Sequence, residues 1–348
     1  MRQGESLRKI RYPGEMPESF TFADLFAGIG GMRIPFDEFG GTCVFTSEID
    51  KHAQKTYQFN FPSEGHLMVG DITEIAESDV PNHDILLAGF PCQPFSNAGH
   101  RKGLDDVRGT LFFDIARILR EKQPKAFLLE NVRGLVGHDE GKTFGRIIEI
   151  LDEDYHVSYK LLNARDFGLA QNRLRVYITG FKKDDFESAF DFESVTNADT
   201  EISVGSILEK SVESSLTLTD GLWEGHQRRK AKHLKAGNGF GYRIVDGDSA
   251  YTPTLSARYF KDGSEILVSQ QGLNPRKLSP REGARLQGFP ENFELHESKM
   301  QAFRQLGNAV PINVVRAIAE QMVKRLITEV RCPPPKLVPE DQPRLEPA

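Results

Sequence analysis

Short apolar runs alternate with longer amphipathic stretches over the first half of the chain. The runs that predict strands span residues 19–26, 41–49, 84–90, 126–132 and 174–181. The stretches with helical spacing of apolar residues span residues 33–39, 50–61, 110–122 and 141–153. Because strands that alternate with helices form βαβ units, this pattern predicts an α/β protein with a doubly wound, mostly parallel sheet.

The composition of the chain changes after the last of these predicted strands. Residues 183–275 are rich in Gly, Ser, Thr and Asp, with turn signals and strand-like pieces at 252–260 and 265–269. This composition predicts a smaller, irregular, β-rich domain. Helical spacing returns at 278–289 and 299–327, and six prolines among the last 17 residues indicate a disordered tail.

Length and overall composition fit a globular protein of one large domain or two smaller ones. The chain has 348 residues, of which 39% are hydrophobic and 27% are charged. No apolar run approaches a membrane span, and the N-terminal residues lack the apolar core of a signal peptide. The expected segments are a first domain over 20–182 plus 305–330, a second domain over 183–290, a hinge over 291–304, an N-terminal extension over 1–19 and a disordered tail over 332–348.

The number and spacing of the cysteines indicate the redox environment of the protein. The chain contains three cysteines, Cys43, Cys92 and Cys332, at wide spacing. An odd number of distant cysteines argues against both a disulfide framework and a zinc site. We therefore expect no metal ion and a reducing, cytoplasmic environment.

Charge is distributed unevenly along the second domain. The net charge of the whole chain is −6, which by itself argues against a polyanionic partner. Residues 181–224 contain eleven Asp and Glu against three Lys, whereas residues 225–261 contain eight Lys and Arg against two Asp. A sign change this abrupt fits a surface specialised for an anion, and it equally fits a solvated basic face.

Glycines and carboxylates recur where the first three strands end. The segment DLFAGIGG, residues 24–31, follows the first strand, and Gly28 and Gly30 allow a tight turn there. Glu48 ends the second strand, and Asp71 lies at the end of a further short strand, the third, indicated by VGDIT at residues 69–73. These positions suit ribose hydroxyls and an adenine amino group. Together they indicate an adenosine cofactor. Since no Lys or Arg clamps this turn and no P-loop is present, S-adenosylmethionine fits better than NAD or ATP.

Chemically reactive residue types follow the next strands. In GFPCQPFSNAG, residues 89–99, Cys92 stands between two prolines where the fourth strand ends. Glu130 ends another strand in LLENV, and Arg173 and Arg175 lie two apart in QNRLRVY, hence on one face of a strand. Each of them also fits a structural role. If all of them lie on one rim beside a cofactor, the cysteine is expected to act as a thiolate nucleophile and the glutamate to have a raised pKa. The two arginines are then expected to hold the substrate.

Six motifs in fixed order resemble one protein family. They are DLFAGIGG, GFPCQPFS, ENVRG, QNRLRVY, RKLSPREGARLQGFP and QLGNAVP, within about residues 20–328. The set resembles the DNA cytosine-5 methyltransferases of bacterial type II restriction-modification systems. TPTLSARYFKDGSE, residues 252–265, resembles the recognition segment of enzymes that methylate the inner cytosine of CCWGG or CCNGG.

The resemblance implies an S-adenosylmethionine-dependent methyltransferase fold and a covalent mechanism. Cys92 would add to carbon 6 of a flipped-out cytosine, and Glu130 would donate to N3. Arg175 would bind the base, and Arg173 would support Glu130 and the pocket. The expected cofactor-binding residues are Phe26, Gly28, Gly30, Glu48, Asp71 and Asn308.

The resemblance also implies that the second domain reads double-stranded DNA. The expected DNA-binding residues are Ser96, Arg101, Arg228, Arg229, Lys230, Phe240, Arg243, Thr254, Arg258 and Lys261. Arg258 and Lys261 are the candidate guanine readers, because their side chains suit the acceptors in the major groove. An ordinary mobile loop at Ser96 and Arg101 and a small core around Phe240 are the structural alternatives.

Two other functions are compatible with the same fold. One is a tRNA cytosine-5 methyltransferase, against which the long basic recognition region and the lack of a CFT signature argue. The other is a non-catalytic DNA-binding protein, and only about 20 residues precede the first strand to hold an added DNA-binding unit. We expect a monomer without membrane association, and a cognate restriction endonuclease encoded nearby.

Overall fold

Seven strands form one sheet at the centre of the molecule. The computed structural model describes residues 20–62, 66–91, 111–198, 202–237, 241–261 and 263–329. The strands are β1 (Thr21–Leu25), β2 (Thr42–Ser47), β3 (Leu67–Val69), β4 (Ile85–Gly89), β5 (Ala126–Val132), β6 (Tyr155–Asn163) and β7 (Leu174–Lys182). Their order is β3-β2-β1-β4-β5-β7-β6. Strand β7 is antiparallel to both neighbours and the other pairs are parallel, which confirms the predicted doubly wound sheet.

Helices pack on both faces of this sheet. The helices of the described ranges are α1 (Arg33–Glu38), α2 (Lys51–Asn60), α3 (Leu111–Lys122), α4 (Lys142–Leu151), α5 (Asp220–Lys235), α6 (Pro280–Gln287), α7 (Lys299–Asn308) and α8 (Ile312–Thr328). Alternate strand residues face opposite sides, so Leu87 and Leu128 pack in one core with α1 and α8, and Ala88 and Leu129 in another with α3 and α4. Because both faces are covered, the central strands are continuous apolar runs.

Strand β6 is the sheet element that the sequence pattern does not indicate. It forms an edge of the sheet, where Tyr159 and Leu161 are 50% and 40% exposed. Polar residues therefore interrupt its sequence, and no apolar run marks it. Since β6 runs in the same direction as β5, Arg165, just beyond its end, comes to the rim where Glu130 lies.

The region after the sheet contains less β-structure than its composition predicts. Its described strands are β8 (Ile244–Val245) and β9 (Leu267–Val268), two residues each. The basic stretch instead forms the last turns of α5, a helix of 16 residues capped by Thr219. Residues 252–260, expected as a strand, form a single bridge at Thr252 and then turns. The backbone there bonds locally, since the N–H of Tyr259 donates to the carbonyl of Ser256 at 3.1 Å.

A third core joins the glycine turn to this second region. It contains Ile29 and Phe61 from the cofactor side, Leu255 and Ile266 from the recognition region, and Phe293 from the segment expected as a hinge. The described parts of the two regions therefore share buried apolar surface. None of the helices in the described ranges has the length and apolar character needed to cross a membrane.

Candidate active site

The carboxyl ends of the parallel strands open onto a cavity of about 860 Å³. This is the usual site of ligands in open α/β sheets, and the volume falls in the range of small-molecule pockets. The predicted site residues that line it are Phe26, Gly28, Glu48, Asp71, Glu130, Arg173, Arg175 and Asn308. Phe26 and Asn308, which are 282 residues apart in sequence, thus line the same cavity.

Two glycines of the turn after β1 serve different purposes. Both have left-handed backbone, with φ of 57° at Gly28 and 85° at Gly30. A Cβ on Gly28 would meet nothing within 4 Å, whereas a Cβ on Gly30 would lie 2.2 Å from the ring of Phe61. Gly28 lines the cavity and Gly30 does not. Gly30 therefore allows close packing behind the turn, and Gly28 keeps the backbone open to a ligand.

Glu48 supports the turn from the end of β2. Its carboxylate accepts hydrogen bonds from the backbone N–H of Gly28 at 2.7 Å and of Asp50 at 2.7 Å. Burial raises its pKa, against the effect of these hydrogen bonds. A carboxylate has about four acceptor positions, so two remain for the hydroxyls of a ribose.

Asp24 is a site residue that the motif analysis did not single out. Its side chain is buried and lines the cavity, and neither carboxylate oxygen has a hydrogen-bond partner in the described part of the chain. Burial raises its pKa to about 8, although the nearby Arg33 lowers it. An unpartnered buried carboxyl group is costly, so this position favours a cationic ligand group.

The remaining cofactor residues complete an acidic wall. Asp71 accepts hydrogen bonds from the N–H and hydroxyl of Thr73 at 3.0 and 2.8 Å. Asn308 is the exposed last residue of α7, and α8 has Pro311 as its N-cap, so Asn308 does not cap that helix. Asp24, Glu48 and Asp71 all line the cavity, and carboxylates suit the sulfonium and ammonium groups of a cofactor better than they suit a polyphosphate. The residues fit S-adenosylmethionine.

Glu130 lies in β5, two residues before the strand ends at Val132. Its side chain is buried, and Oε1 lies 3.2 Å from Nε of Arg175. Burial raises the pKa of this carboxyl group, while Arg175 and Arg173 lower it. The carboxyl group can therefore exist in its protonated form nearer to neutral pH and donate a hydrogen bond.

Arg173 makes contacts that differ from the expected support of Glu130. Its guanidinium donates to three backbone carbonyls, those of Leu255 at 3.1 Å, Gly307 at 3.1 Å and Ala309 at 2.8 Å. Burial, and next the charge of Arg175, lower its pKa to about 9. Arg173 therefore ties the recognition region to the segment before α8, and Arg175 is the arginine in contact with Glu130.

The predicted nucleophile Cys92 lies outside the described residues, as do Ser96, Arg101 and Phe240. The chain is described up to Pro91, which lines the cavity. Asn131 donates from Nδ2 to the carbonyl of Phe90 at 2.9 Å, and Gly89 pairs with Glu130 across the sheet. The backbone immediately before the cysteine is thus fixed beside the buried carboxyl group.

Basic side chains of α5 face solvent. Arg228, Arg229 and Lys230 are all exposed. Arg228 lies 3.3 Å from Glu224, and Lys230 lies 4.2 Å from the ring centroid of Tyr242. These contacts leave the charges at the surface, where they can meet an anion.

A second basic group involves residues from both regions. The guanidinium groups of Arg165 and Arg243 lie 5.4 and 5.5 Å from the ring centroid of Tyr251. Arg165 was not among the sequence-based candidates because its strand, β6, was not predicted. Both arginines lie beside the segment that starts at Thr252, so they extend the basic surface to the catalytic rim.

The candidate reading residues lie on one segment, residues 252–261. Thr254 donates its hydroxyl to the carbonyl of Asn172 at 2.7 Å. Arg258 and Lys261 follow and are exposed. The segment therefore has a fixed start and a charged, accessible end.

The order of the strands and the acidic cavity define the class of methyltransferases that use S-adenosylmethionine. Within this class, residues 20–324 match the family model described as C-5 cytosine-specific DNA methylase. The chain belongs to this family and is a DNA cytosine-5 methyltransferase with S-adenosylmethionine as its cofactor.

Individual relatives agree with the family assignment. The chain is 54% identical to Type II methyltransferase M.DsaV of Dactylococcopsis salina over 308 residues, which cover 88% of this chain and 86% of the relative. It is 55% identical to Type II methyltransferase M1.ScrFI of Lactococcus lactis subsp. cremoris over 325 residues, covering 91% and 83%. The solved structure of the S. pombe Dnmt2 methyltransferase is 22% identical with a TM-score of 0.74, covers 89% of this chain and 99% of that chain, and shares the fold.

Proposed function

We propose that the protein methylates carbon 5 of the inner cytosine in CCWGG or CCNGG. The resemblance of residues 252–265 to the recognition segment of such enzymes supports this target. The observation that carries the proposed chemistry is the buried carboxyl group of Glu130, held by Arg175 at 3.2 Å, at a cavity walled by Asp24 and Glu48. A proton donor and a cation-binding wall are what this reaction needs in one place.

S-adenosylmethionine, when bound, supplies the methyl group that carbon 5 accepts. Asp24 would hold its ammonium group, because this carboxyl group is buried without a partner among the described residues. Glu48 would accept hydrogen bonds from the ribose hydroxyls and Asp71 from the adenine amino group. Asn308 would approach the methionine part from the end of α7.

Carbon 5 of cytosine is a poor nucleophile until the ring is activated. The thiolate of Cys92 would add to carbon 6, which makes carbon 5 the nucleophilic end of an enamine. Glu130 would donate to N3 and stabilise the charge that develops there, and Arg175 would hold the base. Loss of the proton from carbon 5 would then expel Cys92 and restore the aromatic ring.

The target base must leave the duplex to reach this site. Residues 20–182 with 305–330 would carry the chemistry, 183–290 would read the DNA, and 291–304 would act as the hinge. Within the reading domain, Arg258 and Lys261 would contact guanines. The exposed arginines and lysines would contact phosphates, as would Ser96 and Arg101 in the loop after the nucleophile.

Expression in a host without cytosine-5 methylation tests both the reaction and the target. Bisulfite sequencing of the host DNA should show modification at the inner cytosine of CCWGG or of CCNGG. Modification at another sequence would contradict the target only. An absence of modified DNA, with methyl transfer to tRNA, would contradict the function.

A covalent trap tests the nucleophile. A duplex with 5-fluorocytosine at the target position should form an adduct with the wild-type protein that survives denaturation, because fluorine replaces the proton that must leave. The Cys92→Ser variant should bind the same duplex without forming the adduct. A trapped Cys92→Ser protein would assign the addition to another residue.

The protein would act as a cytoplasmic monomer, paired with a restriction endonuclease encoded nearby. The wide spacing of the three cysteines supports a reducing environment. The similarity to type II methyltransferases supports the paired endonuclease. Light scattering on the purified protein, alone and with duplex, measures the oligomeric state, and a mass of two chains would contradict it.

A further inference from the structure

The recognition segment, residues 252–261, is joined to the residues that lead into β7. Gln171 and Thr252 form a parallel bridge. Around it, the N–H of Asn172 donates to Thr252 O at 2.8 Å, and the N–H of Thr252 donates to Ala170 O at 2.8 Å. The start of the segment is therefore held by main-chain hydrogen bonds from the catalytic domain.

The side chain of Gln171 extends this junction into the core. It is fully buried, and its Oε1 accepts from the N–H of Leu255 at 2.9 Å. Its Nε2 donates to the carbonyl of Leu286 at 3.0 Å and to Oε1 of Gln287 at 3.3 Å. Both ends of the amide are satisfied, so its orientation is unique.

Leu255 is held from two positions of the same chain segment. Gln171 binds its N–H and Arg173 binds its carbonyl at 3.1 Å. Two residues further along, Arg175 contacts Glu130. A single row of side chains at alternate positions thus connects the recognition segment to the buried carboxyl group.

We infer that Gln171 is a positioning residue that sets the recognition segment against the catalytic strand and thereby determines discrimination between DNA sequences. Arg258 and Lys261 follow Leu255 by three and six residues, so a shift of Leu255 displaces both. Hydrogen bonds to base edges depend steeply on position, and a displaced reader loses its preference for the correct base. This inference rests on the proposed role of the segment in reading DNA.

The test compares methyl transfer to two duplexes, one with the mapped target and one with an outer base pair changed. The measured quantity is the ratio of their kcat/KM values. Loss of folded protein lowers both rates by the same factor and leaves the ratio unchanged. The ratio therefore separates positioning from a merely structural role.

In Gln171→Met, which removes the hydrogen bonds and keeps the size, the ratio should fall by about tenfold. The control is Thr179→Val on β7, which removes a buried hydroxyl bonded to Ser158 at 3.0 Å, far along the strand from the junction. Its ratio should equal that of the wild type. A Gln171→Met protein that melts earlier but keeps the wild-type ratio would overturn the inference.

Gln171→Glu covers the case in which Gln171→Met does not fold. When protonated, this glutamate can still accept from Leu255 and donate to Leu286, and burial favours that form. Its ratio should be near that of the wild type at low pH and fall as pH rises, while the wild-type ratio stays constant. A pH-independent Gln171→Glu ratio contradicts the inference, whereas a wild type without methyl transfer to either duplex contradicts the proposed function instead.

Discussion

Glu130 and Arg175 contact each other across antiparallel strands although they are not register partners. Glu130 pairs with Tyr177 and Arg175 with Val132, so the 3.2 Å contact between Oε1 and Nε runs diagonally across β5 and β7. Long side chains can bridge such diagonal positions. Glu130 also lines the cavity, which leads to the first prediction.

Replacing Glu130 by Gln should lower the single-turnover rate of methyl transfer by about 10²- to 10⁴-fold, the usual effect of losing a general acid. Burial raises the pKa of Glu130, and its protonated form is the one that donates a hydrogen bond to the base. Wild-type activity should therefore decline as the pH rises through this raised pKa. The variant lacks this titration, so the wild-type advantage should shrink at high pH. An advantage that grows with pH would contradict the role of the protonated form.

Replacing Arg173 by Met should destabilise the protein by about 3 kcal/mol, because three backbone carbonyls, two of them in buried hydrogen bonds, lose their charged donor. Urea unfolding measures this difference. The matched control is Arg146→Met on α4, where the arginine makes an exposed pair with Glu149 at 3.1 Å. That change should stay within about 0.5 kcal/mol. An equal decrease in the free energy of unfolding for both variants would contradict the stabilising role of the hydrogen bonds that Arg173 makes.

Asp24 should make the stability of the ligand-free protein depend on pH in an unusual direction. Its pKa is about 8 when folded, against 3.8 ordinarily, so between these values the folded protein holds a proton that the unfolded chain has lost. Stability should therefore fall as pH rises across this window, by at most about 1.4 kcal/mol per pH unit. Asp24→Asn should remove that contribution in urea unfolding, and a variant with the wild-type slope would contradict the raised pKa.

The same group should couple cofactor binding to protons. The carboxylate form is the one that pairs with an ammonium group, so affinity for S-adenosylmethionine should increase as pH rises towards 8. Calorimetry in buffers of different ionisation enthalpy measures the proton released. Binding to Asp24→Asn should be weaker and should release fewer protons, and unchanged proton release would place the ammonium group elsewhere.

Arg165→Gln and Arg243→Gln should each weaken duplex binding and lower the slope of log K against log salt by about one. Both side chains lie over Tyr251 at the catalytic rim. Arg120, paired with Glu153 at 2.9 Å near the opposite ends of the strands, provides the control. Its Gln variant should keep the wild-type slope, and equal slopes for all variants would exclude this surface from the DNA interface.

The sequence alone predicts those site residues whose position depends on where a strand ends. The positions of Glu48, Asp71 and Glu130 on one rim follow from short apolar runs, because parallel strands direct their carboxyl ends to the same edge. The partners of Arg173 could not be predicted, since they lie 82 to 136 residues away in sequence. Among the described residues, the carboxylate of Asp24 has no hydrogen-bond partner. This too results from tertiary packing, which a sequence motif does not show.

The shared core of the glycine turn and the recognition region has a consequence for changing the target of this enzyme. Phe61 packs behind Gly30 and lies 6.4 Å from Phe293 between ring centroids. A recognition region exchanged with that of another enzyme would bring its own Leu255 and Ile266 counterparts against this surface. Transfer of a recognition region from another enzyme should therefore change the target only when the residues of the buried interface are transferred with the reading residues. A chimera that receives the new reading residues without their interface residues should lose both DNA specificity and affinity for the cofactor.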